Sequence, residues 1–154
     1  MKKSKKKSIL DICLLGSAML FGALTLIMMV TPGIINDLAL VETKYSVYEL
    51  LNYGDELRVG LLLAMIFAII TIVTALLLLV LRLMNKKTKL DTLCALIAGL
   101  LGVVGGILFF LTKSLVGLAD SSITTLGIGA ILSGVFAILA GLGLLGYAIL
   151  KFKK

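Results

Sequence analysis

The sequence predicts an all-α integral membrane protein, built as a single bundle of four transmembrane helices. Of its 154 residues, 60% are hydrophobic and 15% are charged, and the mean hydropathy is +1.19. Soluble domains are nearer half apolar and a quarter charged, and disordered chains carry far fewer apolar residues, so both classes are excluded. The length fits one domain over residues 1–154.

Four long runs without an ionisable residue carry this prediction. Each is long enough to cross a hydrocarbon layer of about 30 Å, and none alternates as the strands of a transmembrane barrel would. The helices are predicted at about 9–31, 57–82, 91–112 and 123–150. They form two hairpins, with outer loops at about 32–56 and 113–122 and an inner loop at about 83–90. A signal peptide is the alternative for the first run, but its length and the lack of a clear A-x-A site favour a retained helix.

Residues typical of helix ends flank these runs. Pro32 disfavours helix in the residue before it and ends the first span. Asp55 and Glu56 precede the second, where negative charge suits the helix dipole. Asp120 begins a polar segment that can cap the fourth helix.

Basic residues predict the orientation, because cytoplasmic loops are enriched in Lys and Arg. Twelve basic residues lie on one side of the four spans and three on the other. We therefore expect a cell-membrane protein with both termini cytoplasmic, a net charge of +10 inside and −3 outside. The inner lysines are predicted to contact anionic lipid headgroups: Lys2, Lys3, Lys5, Lys6, Lys7, Lys86, Lys87, Lys89, Lys151, Lys153 and Lys154. No nucleic-acid partner is expected, since no element presents these lysines to a groove.

The first outer loop contains a capping-box pattern from Ser46 to Glu49, which predicts a short helix. Gly54 is placed to end it. The competing interpretation is a strand, in which Val41, Thr43, Tyr45 and Val47 share one face. The loop tyrosines suit a membrane interface.

Small residues recur every fourth position in the third and fourth helices, a pattern that allows close backbone approach. The predicted packing residues are Ala98, Gly102, Gly106, Gly129, Ser133, Ala137 and Gly141. We interpret them as contacts inside the bundle; the alternative is a docking face on the fourth helix for another chain.

The two hairpins share some sequence. Leu-Asp follows a basic segment at Asp11 and again at Asp91, and residues 60–83 align with 129–152 without gaps, matching Arg82 to Lys151. An internal duplication and the limited alphabet of apolar helices are both consistent with this.

The middles of the spans lack the ionisable groups that proton-coupled transporters usually need. The chain has no histidine, and its only intramembrane acids, Asp11 and Asp91, stand at helix ends. Small multidrug-resistance transporters are also four-helix proteins but use a glutamate within helix one; Asp11 is expected to be hydrated and to offset nearby lysines. The membrane hydroxyls are expected to bond to carbonyls a turn earlier. Cys13 and Cys94 are expected to be buried, with palmitoylation the alternative, and no metal or cofactor is predicted.

Four helices, internal termini and a longer first outer loop resemble tetraspan proteins such as the claudins. The resemblance is one of topology, because the claudin signature of a first-loop tryptophan and cysteine pair is missing from this sequence. It implies no junction or pore role. We expect a non-enzymatic accessory, assembly or self-associating membrane subunit that binds a protein partner or its own copies. The alternative is an oligomeric pore or transporter for a small or apolar solute.

Overall fold

Four long helices and a small sheet make up the protein. The computed structural model describes residues 2–38, 41–53, 57–84, 86, 88–118 and 122–153, without the side chains of residues 2–8, 38 and 41. In chain order the elements are α1 (Lys2–Met28), β1 (Pro32–Leu38), β2 (Val41–Ser46), α2 (Val47–Leu50), α3 (Val59–Leu83), α4 (Leu90–Phe110), α5 (Thr112–Leu115), β3 (Thr124–Leu126) and α6 (Ile128–Phe152).

The four long helices are α1, α3, α4 and α6, and they pack as a closed ring. Helices α1 and α4 stand diagonally, each packed against both α3 and α6. Each long helix contains a stretch of at least 20 residues that is apolar enough to span a membrane. Four such spans indicate a multi-pass membrane protein, because an uninterrupted apolar helix of this length matches the hydrocarbon thickness.

The predicted boundaries of three helices differ from the structure. Helix α1 runs from Lys2 to Met28 and not over residues 9–31. The fourth helix begins at Ile128 and not at residue 123, because Thr124–Leu126 forms strand β3. β-Branched threonines favour strands, and the predicted cap at Asp120 lies outside the described residues. The third helix breaks at Leu111 and resumes as α5, which lengthens it into the second loop.

A three-stranded antiparallel sheet corrects the all-α prediction. Its strand order is β2-β1-β3, so the central strand pairs with both outer loops. Ile35 lies opposite Lys44 on one side and Thr125 on the other. The sheet covers one end of the bundle: the Val47 amide donates to the Met29 carbonyl at 3.0 Å, and the Gly127 amide donates to the Gly33 carbonyl at 2.8 Å. We call this the sheet end.

The first outer loop combines the predicted helix with the competing strand. Strand β2 runs to Ser46, and the capping box then starts α2. The Ser46 hydroxyl accepts from the Glu49 amide at 3.3 Å, while the Glu49 carboxylate accepts from the Ser46 amide at 2.7 Å. Gly54, Asp55 and Glu56 lie outside the described residues.

Candidate functional site

A buried cluster of charged side chains lies at the end of the bundle opposite the sheet, which we call the basic end. The Asp11 carboxylate accepts from the Arg82 guanidinium and, at 3.0 Å, from the Lys151 ammonium. The three side chains are only 1%, 7% and 14% exposed, respectively. One carboxylate therefore joins α1 to the ends of α3 and α6.

This cluster overturns the expectation that Asp11 is hydrated. The sequence predicts Asp11 near the start of a helix that begins at residue 9, but α1 begins at Lys2, and the last turns of α3 and α6 close over the carboxylate. Lys151 likewise differs from the expected headgroup contact, since its ammonium binds Asp11 and lies 5.2 Å from the centre of the Tyr147 ring. A buried carboxylate between two cations is much less costly than an unpaired one.

The two halves of the chain are not equivalent at this end. Arg82 and Lys151, which the internal alignment matches, contact the same carboxylate. Asp91, which follows a similar basic segment, instead accepts from the amide and the hydroxyl of Thr88, just before α4. The Arg82 Nε is buried and has no hydrogen-bond partner within the described part of the chain.

Hydroxyl groups line the middle of the bundle, and each is engaged. Thr25 and Thr71 donate to the carbonyls of Phe21 and Phe67, four residues earlier, as predicted. Ser133 differs, because its hydroxyl donates across to the Thr25 carbonyl of α1 at 3.2 Å. The gap between these side chains is lined by all four long helices and has no room for a water molecule. The bundle is therefore dry and closely packed at the level of these residues.

The seven predicted packing residues are all buried. Gly102 and Gly106 of α4 face Gly141 and Gly134 of α6 so closely that an added methyl group would meet backbone atoms at 2.8–3.0 Å. Gly129 instead packs against the connection between α1 and β1. These seven small residues therefore lie inside the bundle, and none of them is exposed for contact with a partner.

Exposed lysines and cysteines also mark the basic end. Lys86, Lys89 and Lys153 are exposed, as a headgroup contact requires, whereas Lys87, Lys154 and the side chains of the N-terminal lysines lie outside what the structure describes. Cys13 and Cys94 are both exposed, which corrects the expectation that they are buried. They are thus placed to face lipid and not the bundle interior.

The orientation of the protein can be tested with cysteine labelling. In a variant with Cys13→Ala and Cys94→Ala, Ser122→Cys at the sheet end is expected to react with a membrane-impermeant maleimide on intact cells. Both Ser122 and Lys86 are exposed, so Lys86→Cys is the matched position at the basic end and should react only after permeabilisation. The reverse pattern would contradict cytoplasmic termini.

At the sheet end, a surface recess of about 480 Å³ is lined by Tyr45, Glu49, Asn52 and Tyr53. Of the two cavities described here, this recess combines aromatic rings with a carboxylate, whereas the gap in the middle of the bundle does not. Within the described residues, no group of three or more cysteine, aspartate or glutamate side chains is placed to hold a metal ion.

The fold and the cluster together define a four-helix multi-pass membrane protein with a sheet at one end and a buried ion cluster at the other. Comparison with protein-family models, with curated proteins and with solved structures found no match to this chain.

Proposed function

We propose that this protein is a non-enzymatic membrane subunit whose activity is to associate with its own copies or with another membrane protein. The observation that carries the proposal is the closed interior, where all four helices meet without space for water. Because such an interior has no space for a solute or a reacting group, it supports a protein that acts through its surface.

The side chains agree with this proposal. Asp11, Arg82 and Lys151 of the buried cluster are paired with one another, and these pairs hold α1, α3 and α6 together. The membrane hydroxyls donate to carbonyls and have no adjacent histidine to activate them, because the chain contains none. Conduction would therefore require several copies around a shared axis, which is the alternative function.

The proposal predicts that mild detergent extracts the protein from the membrane as part of a larger complex. We expect native mass spectrometry of material extracted in mild detergent to give a protein mass well above the 16.3 kDa of one chain, in a fixed ratio of components. Two differently tagged copies, expressed together, distinguish self-association from association with another protein. The comparison sample is the same preparation after a harsh detergent. A particle that contains one chain and lipid alone under both conditions would contradict the proposed function.

A further inference from the structure

The recess at the sheet end, which we call the aromatic recess, is formed by a strand and the segment after it. Strand β2 supplies Tyr45, helix α2 supplies Glu49, and Asn52 and Tyr53 follow directly. The capping box fixes this geometry, because Ser46 ends the strand and starts the helix by bonding to Glu49. The two tyrosines and the carboxylate thereby line one recess.

The chemistry of the aromatic recess suits a cation. The rings of Tyr45 and Tyr53 have their centres 5.4 Å apart and are nearly perpendicular at 86°, so the edge of one ring meets the face of the other. Ring faces carry negative charge and attract ammonium groups within about 6 Å. One oxygen of Glu49 accepts from the Ser46 amide, and the other has no bond to the described residues. Two aromatic rings and a carboxylate therefore line the same recess.

The depth of the recess places it among lipid headgroups. The hydroxyl of Tyr48, in α2, donates to the Leu26 carbonyl at 3.0 Å. Leu26 lies in the candidate span Ile9–Met28, two residues before its end. Helix α2 is thus level with the end of the apolar span, which is the depth at which tyrosines and headgroups meet.

The headgroup depth narrows the class of ligand. A phospholipid that presents an ammonium group at this depth also carries a phosphate, so its headgroup is zwitterionic. We propose that the aromatic recess binds the ammonium group of a zwitterionic phospholipid, such as one with an ethanolamine headgroup.

The test uses the full-length protein reconstituted in vesicles of equal phosphatidylethanolamine and phosphatidylglycerol, with retained lipid counted by native mass spectrometry. Glu49→Gln removes the charge but keeps the capping box, because the glutamine oxygen still accepts from Ser46. Wild type should retain the ethanolamine lipid, and Glu49→Gln should weaken that retention roughly tenfold, as loss of a charged hydrogen bond does, while the phosphatidylglycerol bound by the lysines of the basic end stays unchanged. Glu42→Gln, which removes an exposed carboxylate of the same sheet, is the matched control and should behave as wild type.

Variants of one tyrosine and soluble ligands complete the test. Tyr53→Phe keeps the ring and should retain the lipid, whereas Tyr53→Leu should lose it, with circular dichroism showing that both variants fold. Free ethanolamine and tetramethylammonium supply the ammonium without the lipid and should bind far more weakly. Equal retention of the ethanolamine lipid by wild type and Glu49→Gln, an equal loss in Glu42→Gln and Glu49→Gln, or free ethanolamine binding as tightly as the lipid would overturn the proposal.

Discussion

Replacement of Asp11 by asparagine is expected to lower the free energy of unfolding by about 3–5 kcal/mol, the effect of breaking a buried ion pair. The variant leaves two cations, Arg82 and Lys151, buried at the junction of three helices without their carboxylate. Unfolding in detergent micelles, followed by far-ultraviolet circular dichroism against increasing denaturant, measures the change.

Glu42→Gln is the matched control for this prediction. It also removes a carboxylate from an ion pair, here with Lys44 at 3.1 Å, but both side chains are about half exposed. Exposed pairs contribute about 0–1 kcal/mol, so this variant should unfold almost as wild type does. Equal effects of Asp11→Asn and Glu42→Gln would show that Asp11 is hydrated, as the sequence alone suggested.

Replacement of Gly141 by alanine is expected to destabilise the bundle by about 1–3 kcal/mol, the usual cost of overpacking. The added Cβ would lie 2.6 Å from the Gly99 carbonyl oxygen and 2.7 Å from the Val103 amide nitrogen. These are backbone atoms of α4, so relief requires the two helices to move apart. The same micelle unfolding experiment measures the loss.

Gly146→Ala, in the same helix, provides the control for Gly141→Ala. Its Cβ would meet only the Leu14 side chain, at an ordinary 3.7 Å. Alanine is the better helix former, so this variant should be neutral or more stable by up to about 1 kcal/mol. A change in stability in the same direction for both substitutions would contradict the close contact of α4 and α6 at Gly141.

Features encoded by neighbouring residues could be predicted from the sequence. The apolar runs specify the four spans because their length must match the membrane. The capping box forms as predicted because all its atoms lie within four residues. Small residues at intervals of four share one helix face, and in the structure Gly102 and Gly106 lie against α6.

Contacts between distant residues could not be predicted in this way. Asp11 and Arg82 are 71 residues apart, and nothing local shows that the end of α3 covers the carboxylate. Strand β3 has only three residues and pairs with β1 across about 90 positions, so its threonines were assigned to the fourth helix. The aromatic recess likewise depends on the way β2 turns into α2, although the tyrosines themselves were placed at the interface.

Solute flux is the most direct test of the claim that this protein acts through its surfaces and not through its interior. Purified protein would be reconstituted into vesicles at increasing protein-to-lipid ratios, with ionic conductance and the efflux of small neutral solutes recorded at each ratio. Because the centre of the bundle is closed, we expect vesicles with protein to leak ions and solutes no faster than protein-free vesicles, at every protein-to-lipid ratio. A flux that rises in proportion to the protein added would contradict the account and favour the oligomeric pore.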